Sequence, residues 1–209
     1  MKYSAFCSDQ FLVNNVKRYI SSHGETYEGY DAVEWLDEHI VNVDDGEAQV
    51  YVGTYGKYND GSIAGAWVSI ESFDTYEEFM DFCHAIHSNE YDPELMFQDF
   101  QGFPKDFYWE GGISEEKFDL IKQYCAYSEN MQEAADAWLG LGNDNFEKFD
   151  DAYRGQWDSE EDFAEYVWED MCYNIPDYIR RFINWKWVAN DIFSDGYVFC
   201  DGYVFDLSA

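Results

Sequence analysis

Two groups of residues in this chain have the types and spacing to do chemistry. The first is Cys83-His84-Ala85-Ile86-His87. A thiol and two imidazoles are zinc ligands, and His84 and His87, three apart, share one side of a helix. A tetrahedral site needs a second ligand cluster. The other histidines, His23 and His39, sit well upstream. Cys83 falls on the apolar side with Phe79 and Ile86, where cysteine packs as a small hydrophobe. Core packing is the better reading, and no metal or other cofactor is expected.

The second group is the carboxylates. An acid pair such as Asp150 and Asp151 can cleave a glycoside or hold a divalent metal. With 44 Asp plus Glu in 209 residues such pairs arise by chance. No nucleophile elbow, phosphate loop, dinucleotide fingerprint or H-E-x-x-H run accompanies them. No catalytic residue is assigned, and the chain reads as something other than an enzyme.

The acids are nevertheless ordered. Asp74, Glu77, Glu78 and Asp81 follow an i, i+3, i+4, i+7 pattern, with Phe73, Tyr76, Phe79, Met80 and Cys83 opposite. Asp158, Glu161, Asp162, Glu165 and Glu169 repeat it at i, i+3, i+4, i+7, i+11, with Phe163, Tyr166, Val167 and Met171 opposite. Each row sets a charge every ~6 Å along a helix, four residues at ~1.5 Å rise. Solvated helix faces usually mix signs, with Lys or Arg four residues from Glu. The stretch Trp157–Asp170 contains no basic residue. These nine residues form the candidate surface, and a basic partner is expected to meet it.

The elements that must carry these rows are short. Phe11, Leu12, Val16, Tyr19 and Ile20 predict a first helix stopped near Gly24, and a second spans about 30–40. "VNVDDGEAQ" reads as a linker. "VYVGTYGKY" and "IAGAWVSI" read as strands joined at "NDGS". A helix is expected over about 74–88, then an irregular connection through "DPELMFQDFQGFP". Beyond Ser114 the pattern is mainly helical: "SEEKFDLIKQYCAY", "MQEAADAWL", "DNFEKFDDAY", the Ser159 segment, and one helix opened by Pro176 and Asp177 running through "YIRRFINWKWVANDIF". "DGYVFCDGYVFDL" reads as a closing hairpin. The fold class is α+β, with short antiparallel hairpins or sheets and several short acidic helices.

Composition narrows the partners. A net charge of -32 excludes nucleic acid as a direct ligand, because phosphates need Lys and Arg, and it disfavours an anionic membrane. Aromatic content of 21% supplies enough ring area for cores and argues against disorder. Five dispersed cysteines, Cys7, Cys83, Cys125, Cys172 and Cys200, fit a reducing compartment and no disulfide framework. No signal peptide or membrane span is read, so a cytoplasmic location is expected. A compact protein of 24.6 kDa exposes ~10,000 Å². Even spreading gives ~300 Å² per net charge, against ~100 Å² per phosphate on a duplex. Imitation of DNA therefore requires an elongated shape or a concentrated face.

Four stretches resemble the ArdA antirestriction family: "VYVGTYGKYNDGSIAGAW", "DPELMFQDFQGFP", "AYRGQWDSEEDFAEY" and "WVANDIFSDGYVFCDGYVF". They run in collinear order over about 48–209. The resemblance implies a bacterial, mobile-element protein that is an elongated chain of small domains and a dimeric mimic of B-form DNA. It implies occupancy of the DNA-binding groove in the specificity and methyltransferase core of type I restriction-modification enzymes. It also implies domains at about 48–107, 108–152 and 153–209, the last one dimerising, behind an unmatched helical segment at 1–47. That segment is expected to be dispensable for inhibition. The alternative is an acidic interaction protein acting on another DNA-handling defence, such as a CRISPR effector.

Overall fold

The computed structural model describes residues 8–41, 46–171 and 175–209. The chain forms two compact units, one running to Ala126 and the other from Tyr127 to Ala209. The first contains α1 (Asp9–Ser22), α2 (Ala32–His39), β1 (Gln49–Thr54), α3 (Tyr55–Asn59), β2 (Ala66–Ser69), α4 (Tyr76–Ala85), β3 (Leu95–Gln101) and α5 (Glu115–Ala126). The second contains α6 (Glu129–Gly140), α7 (Phe146–Ala152), β4 (Tyr153–Gln156), α8 (Glu160–Asp170), α9 (Asp177–Arg180), α10 (Trp185–Ser194), β5 (Tyr197–Cys200) and β6 (Tyr203–Asp206). Each unit has one antiparallel three-stranded sheet, ordered β2-β1-β3 and β4-β6-β5. The class is α+β, as expected.

Helix starts follow from short polar side chains that accept the free N–H groups of a first turn. Ser8 accepts from Phe11, Asp31 from Val33 and Glu34, Asn145 from Lys148, and Ser159 from Asp162. Thr75 and Glu78 make a reciprocal capping box at the start of α4. In the first sheet every β1 residue is buried, as a central strand requires. Phe79 and Phe82 of α4 are fully buried, and Phe79 stacks on Phe97 of β3 at 6.0 Å. Each such phenyl group contributes about 1.5–3 kcal/mol by leaving water.

The first two helices are part of this core. Leu12, Val16 and Leu36 are fully buried, Trp35 meets Phe82 edge-on at 5.3 Å, and His39 stacks on Phe73 at 4.0 Å. The buried Asn15 amide donates to the Ile86 carbonyl at 2.8 Å, and Ile40 bridges to Val68 of β2. Expected dispensability of residues 1–47 therefore conflicts with the packing. The second unit is centred on Trp138, Phe149 and Phe205, and a smaller cluster joins Ala164 of α8 to Val188 and Ala189 of α10.

Several local expectations are corrected. Tyr55–Asn59 is a helix, capped by the Thr54 hydroxyl, so β1 and β2 pair without a tight hairpin between them. The connection read as irregular contains β3, which pairs with β1 through a register shift at Tyr51/Val52. The long helix after Pro176 is two helices, and Asn184 caps the second. The terminal hairpin is as expected, with Asp201 and Gly202 at φ 51° and 89°.

Candidate functional site: an acidic surface

The first acidic row lies on α4 and the loop before it. Asp74, Glu77 and Glu78 are exposed, and Glu78 also accepts from the Thr75 N–H in its capping box. Asp81 differs. It is half-buried and accepts phenolic hydrogen bonds from Tyr19, at 3.0 Å, and from Tyr27. Burial, followed by the Asp81 bond and charge, pushes both tyrosine pKa values up, so both remain O–H donors. Asp81 is a tether for the first two helices, and the exposed part of this row is Asp74, Glu77 and Glu78.

The second row lies on α8 and the residue pair preceding it. Asp158 and Asp162 are exposed, while Glu161 is half-buried. Ser159 accepts from the Asp162 N–H at 3.1 Å and donates to its carboxylate at 2.7 Å. Glu165 and Glu169 both pair with Arg180 of α9. The row thus has an internal counter-charge from outside the stretch. Ala164 and Phe163 are the buried side of α8, whereas Tyr166 and Met171, expected opposite the acids, are exposed. The two rows belong to different units.

The broader arrangement favours a negative surface. Among the described carboxylates only Asp9, Asp81, Glu90, Glu161, Glu165 and Asp206 are withdrawn from full exposure. Several of the few cations are turned inward. Lys57 pairs with Glu90 at 2.7 Å and contacts His87 at 2.5 Å. Lys122 donates to the carbonyls of Phe73 and Glu71. Arg154 pairs with Asp206 at 3.0 Å, helping Ser208 to hold that carboxyl below its ordinary pKa. Inward cations leave their charge partly compensated inside, while the acids remain available to an external cation.

The other candidates take structural places. Cys83 is fully buried, and burial pushes its thiol pKa well up. The buried His87 ring meets the Val52 carbonyl at 3.1 Å through Nε2 and Lys57 through Nδ1, so both nitrogens are engaged. Burial holds its pKa down at about 3. Among the described residues no group of three or more Cys, His, Asp or Glu is arranged to hold a metal. Asp150 and Asp151 are exposed, with Asp150 accepting from Tyr127 at 3.0 Å. Cys125 and Cys200 are free thiols, while Cys7 and Cys172 lie outside the described residues. No described helix is long and apolar enough to cross a membrane.

Tyr19, Tyr27 and Arg180 were absent from the sequence-derived surface. None shares helical spacing with the acids it binds, so periodicity gave no signal for them.

Comparison with curated proteins finds no match. The model for the antirestriction protein family ArdA matches residues 50–205. That segment contains both acidic rows and all of both sheets but Gln49 and Asp206. The match covers most of the 209 residues, and the chain belongs to the ArdA antirestriction protein family.

Proposed function

We propose that this protein inhibits a type I restriction-modification enzyme by presenting carboxylates to the basic groove that normally holds DNA. The observation that carries the reading is the exposure of acids on both units while Lys57 and Lys122 are turned inward and Arg154 is paired with the half-buried Asp206. A groove built for phosphates gains much of its affinity by releasing condensed counterions, and that term carries no base sequence. Fixed carboxylates can engage the same cations, so inhibition extends across enzymes with different recognition sequences. The chain itself acts without catalysis or cofactor, in the bacterial cytoplasm.

The working state in this proposal is a homodimer. Tyr178, Phe182 and Trp187 of the second unit are 68%, 75% and 64% exposed. Large rings left in water are candidates for a protein contact.

The deciding experiment is equilibrium binding to a purified type I methyltransferase core, with duplex DNA as competitor across a salt series. Mutually exclusive binding with a steep salt slope supports the proposal. Simultaneous binding with DNA, or no binding at low salt, counts against it. Selective binding to another DNA-handling defence enzyme favours the alternative target class.

A further inference from the structure

Three rings form a corner in the segment before the family match begins. Tyr27 and Trp35 lie 5.1 Å apart with planes at 34°. Tyr30 stands across both, 5.2 Å from Tyr27 at 89° and 5.5 Å from Trp35 at 79°. The rings line a cleft of about 160 Å³ together with Glu38 and Asp74. A neighbouring hollow of about 240 Å³ shares Tyr30, Trp35 and Glu38 and adds Glu34. Among the described residues, neither lining contains a lysine or arginine. Tyr30 is 52% exposed although both its ring neighbours are buried.

We propose that these neighbouring hollows receive an arginine side chain from a protein partner, with the guanidinium plane against Tyr30 and Trp35, the rings that line both, and its N–H edge toward Glu38, which also lines both, and Glu34. Ring faces attract cations, and carboxylates accept the planar N–H fork. The ring spacings decide among cations. The three rings touch, so a cation lies beside them and cannot enter between them. A flat guanidinium can stack on one side and donate from its edge. A quaternary ammonium needs walls around it, and a lysine ammonium is compact and strongly hydrated. His39 also lines the cleft, and burial lowers its pKa to about 4, so at neutral pH it adds no opposing charge. This inference does not depend on the antirestriction proposal.

The test is NMR titration of the full chain with acetyl-Gly-Arg-Gly-amide, alongside its citrulline and lysine counterparts. The Trp35 indole signal is assigned by Trp35→Phe. The arginine peptide should produce a saturable shift at Trp35, with the citrulline peptide weaker by about tenfold or more. Tyr30→Ala and the pair Glu34→Gln/Glu38→Gln should each weaken arginine binding by about tenfold. These side chains are exposed, and unchanged melting curves verify that the fold is retained. No Trp35 shift, equal binding of citrulline or lysine, full affinity in both variants, or equal shifts at all Trp indoles would each overturn the assignment.

Discussion

Tyr27 donates its phenolic hydroxyl to the carboxylate of Asp81, joining the segment between α1 and α2 to the middle of α4. This bond turns an acid from the presumed outer row into an internal anchor. Tyr27→Phe should lower stability by about 1.5–3 kcal/mol, the range for a hydrogen bond to a charged group. Denaturant unfolding measures it. A chain starting at Ala48 loses this anchor and uncovers Phe73 and Phe82, and should lack the cooperative melt of the full chain. Retention of that melt together with inhibition would show that the first two helices are accessory.

Arg180 gives the second prediction. Arg180→Gln should cost about 1–2 kcal/mol, between the values for exposed and buried ion pairs, because it releases Glu165 and Glu169. The same change adds negative charge to the surface, so affinity for a basic groove should be unchanged or higher. Asp158→Asn/Glu161→Gln/Asp162→Asn should do the opposite, weakening target binding and flattening its salt dependence while each single change has little effect. A fivefold change including Glu165 and Glu169 would also leave Arg180 without its partners. Affinities measured over a salt series, beside melting curves, separate the two effects. Unchanged binding and salt slope in the triple variant would remove α8 from the interface.

Acid sensitivity should come in part from His39 and His87. Burial lowers their folded pKa values to about 4 and about 3. Unfolded histidines protonate near pH ~6.5. Below that pH the unfolded chain binds protons that the folded chain excludes, so stability falls with falling pH until the folded pKa values are reached. Each group contributes at most ~1.4 kcal/mol per pH unit in this window. Chemical denaturation between pH 7 and 5 should therefore show a smaller loss for His39→Gln than for the parent. Identical slopes would assign the acid sensitivity elsewhere.

The turn at Asp201-Gly202 predicts opposite outcomes for adjacent residues. Both occupy left-handed backbone, with φ 51° and 89°. Gly202→Ala should cost about 1–2 kcal/mol by placing a Cβ in that region. Asp201→Gly removes an existing Cβ from the same region and should be close to neutral or stabilising. Comparison of the two melting temperatures checks this order.

Legibility in the sequence depended on whether a signal was local. The terminal hairpin was readable because Asp-Gly suits a left-handed two-residue turn. The start of α8 was readable from Ser159. β3 was obscured because Pro93 and Pro104 bracket it, and Leu95, Met96 and Phe97 are consecutively buried without strand alternation. Tyr55 and Tyr58 prolong the strand-like run of β1 in sequence, but the Thr54 cap starts a helix there. The acidic rows were visible from spacing, whereas the partners of Asp81, Glu165 and Glu169 come from distant residues. Spacing records a side chain's face and leaves its tertiary partner unspecified.

The strand order of the second unit also bears on its synthesis. β6 follows every other element of that unit in sequence, yet it lies between β4 and β5. As the chain leaves the ribosome, β4 must wait for its neighbour in the sheet while four intervening elements are made. The first sheet has no such delay beyond β3, and its unit can close before the second begins. The order of emergence thus favours an N-terminal unit that is already folded while β4 remains an unpaired strand, and translation past Tyr203 releases the second sheet to form.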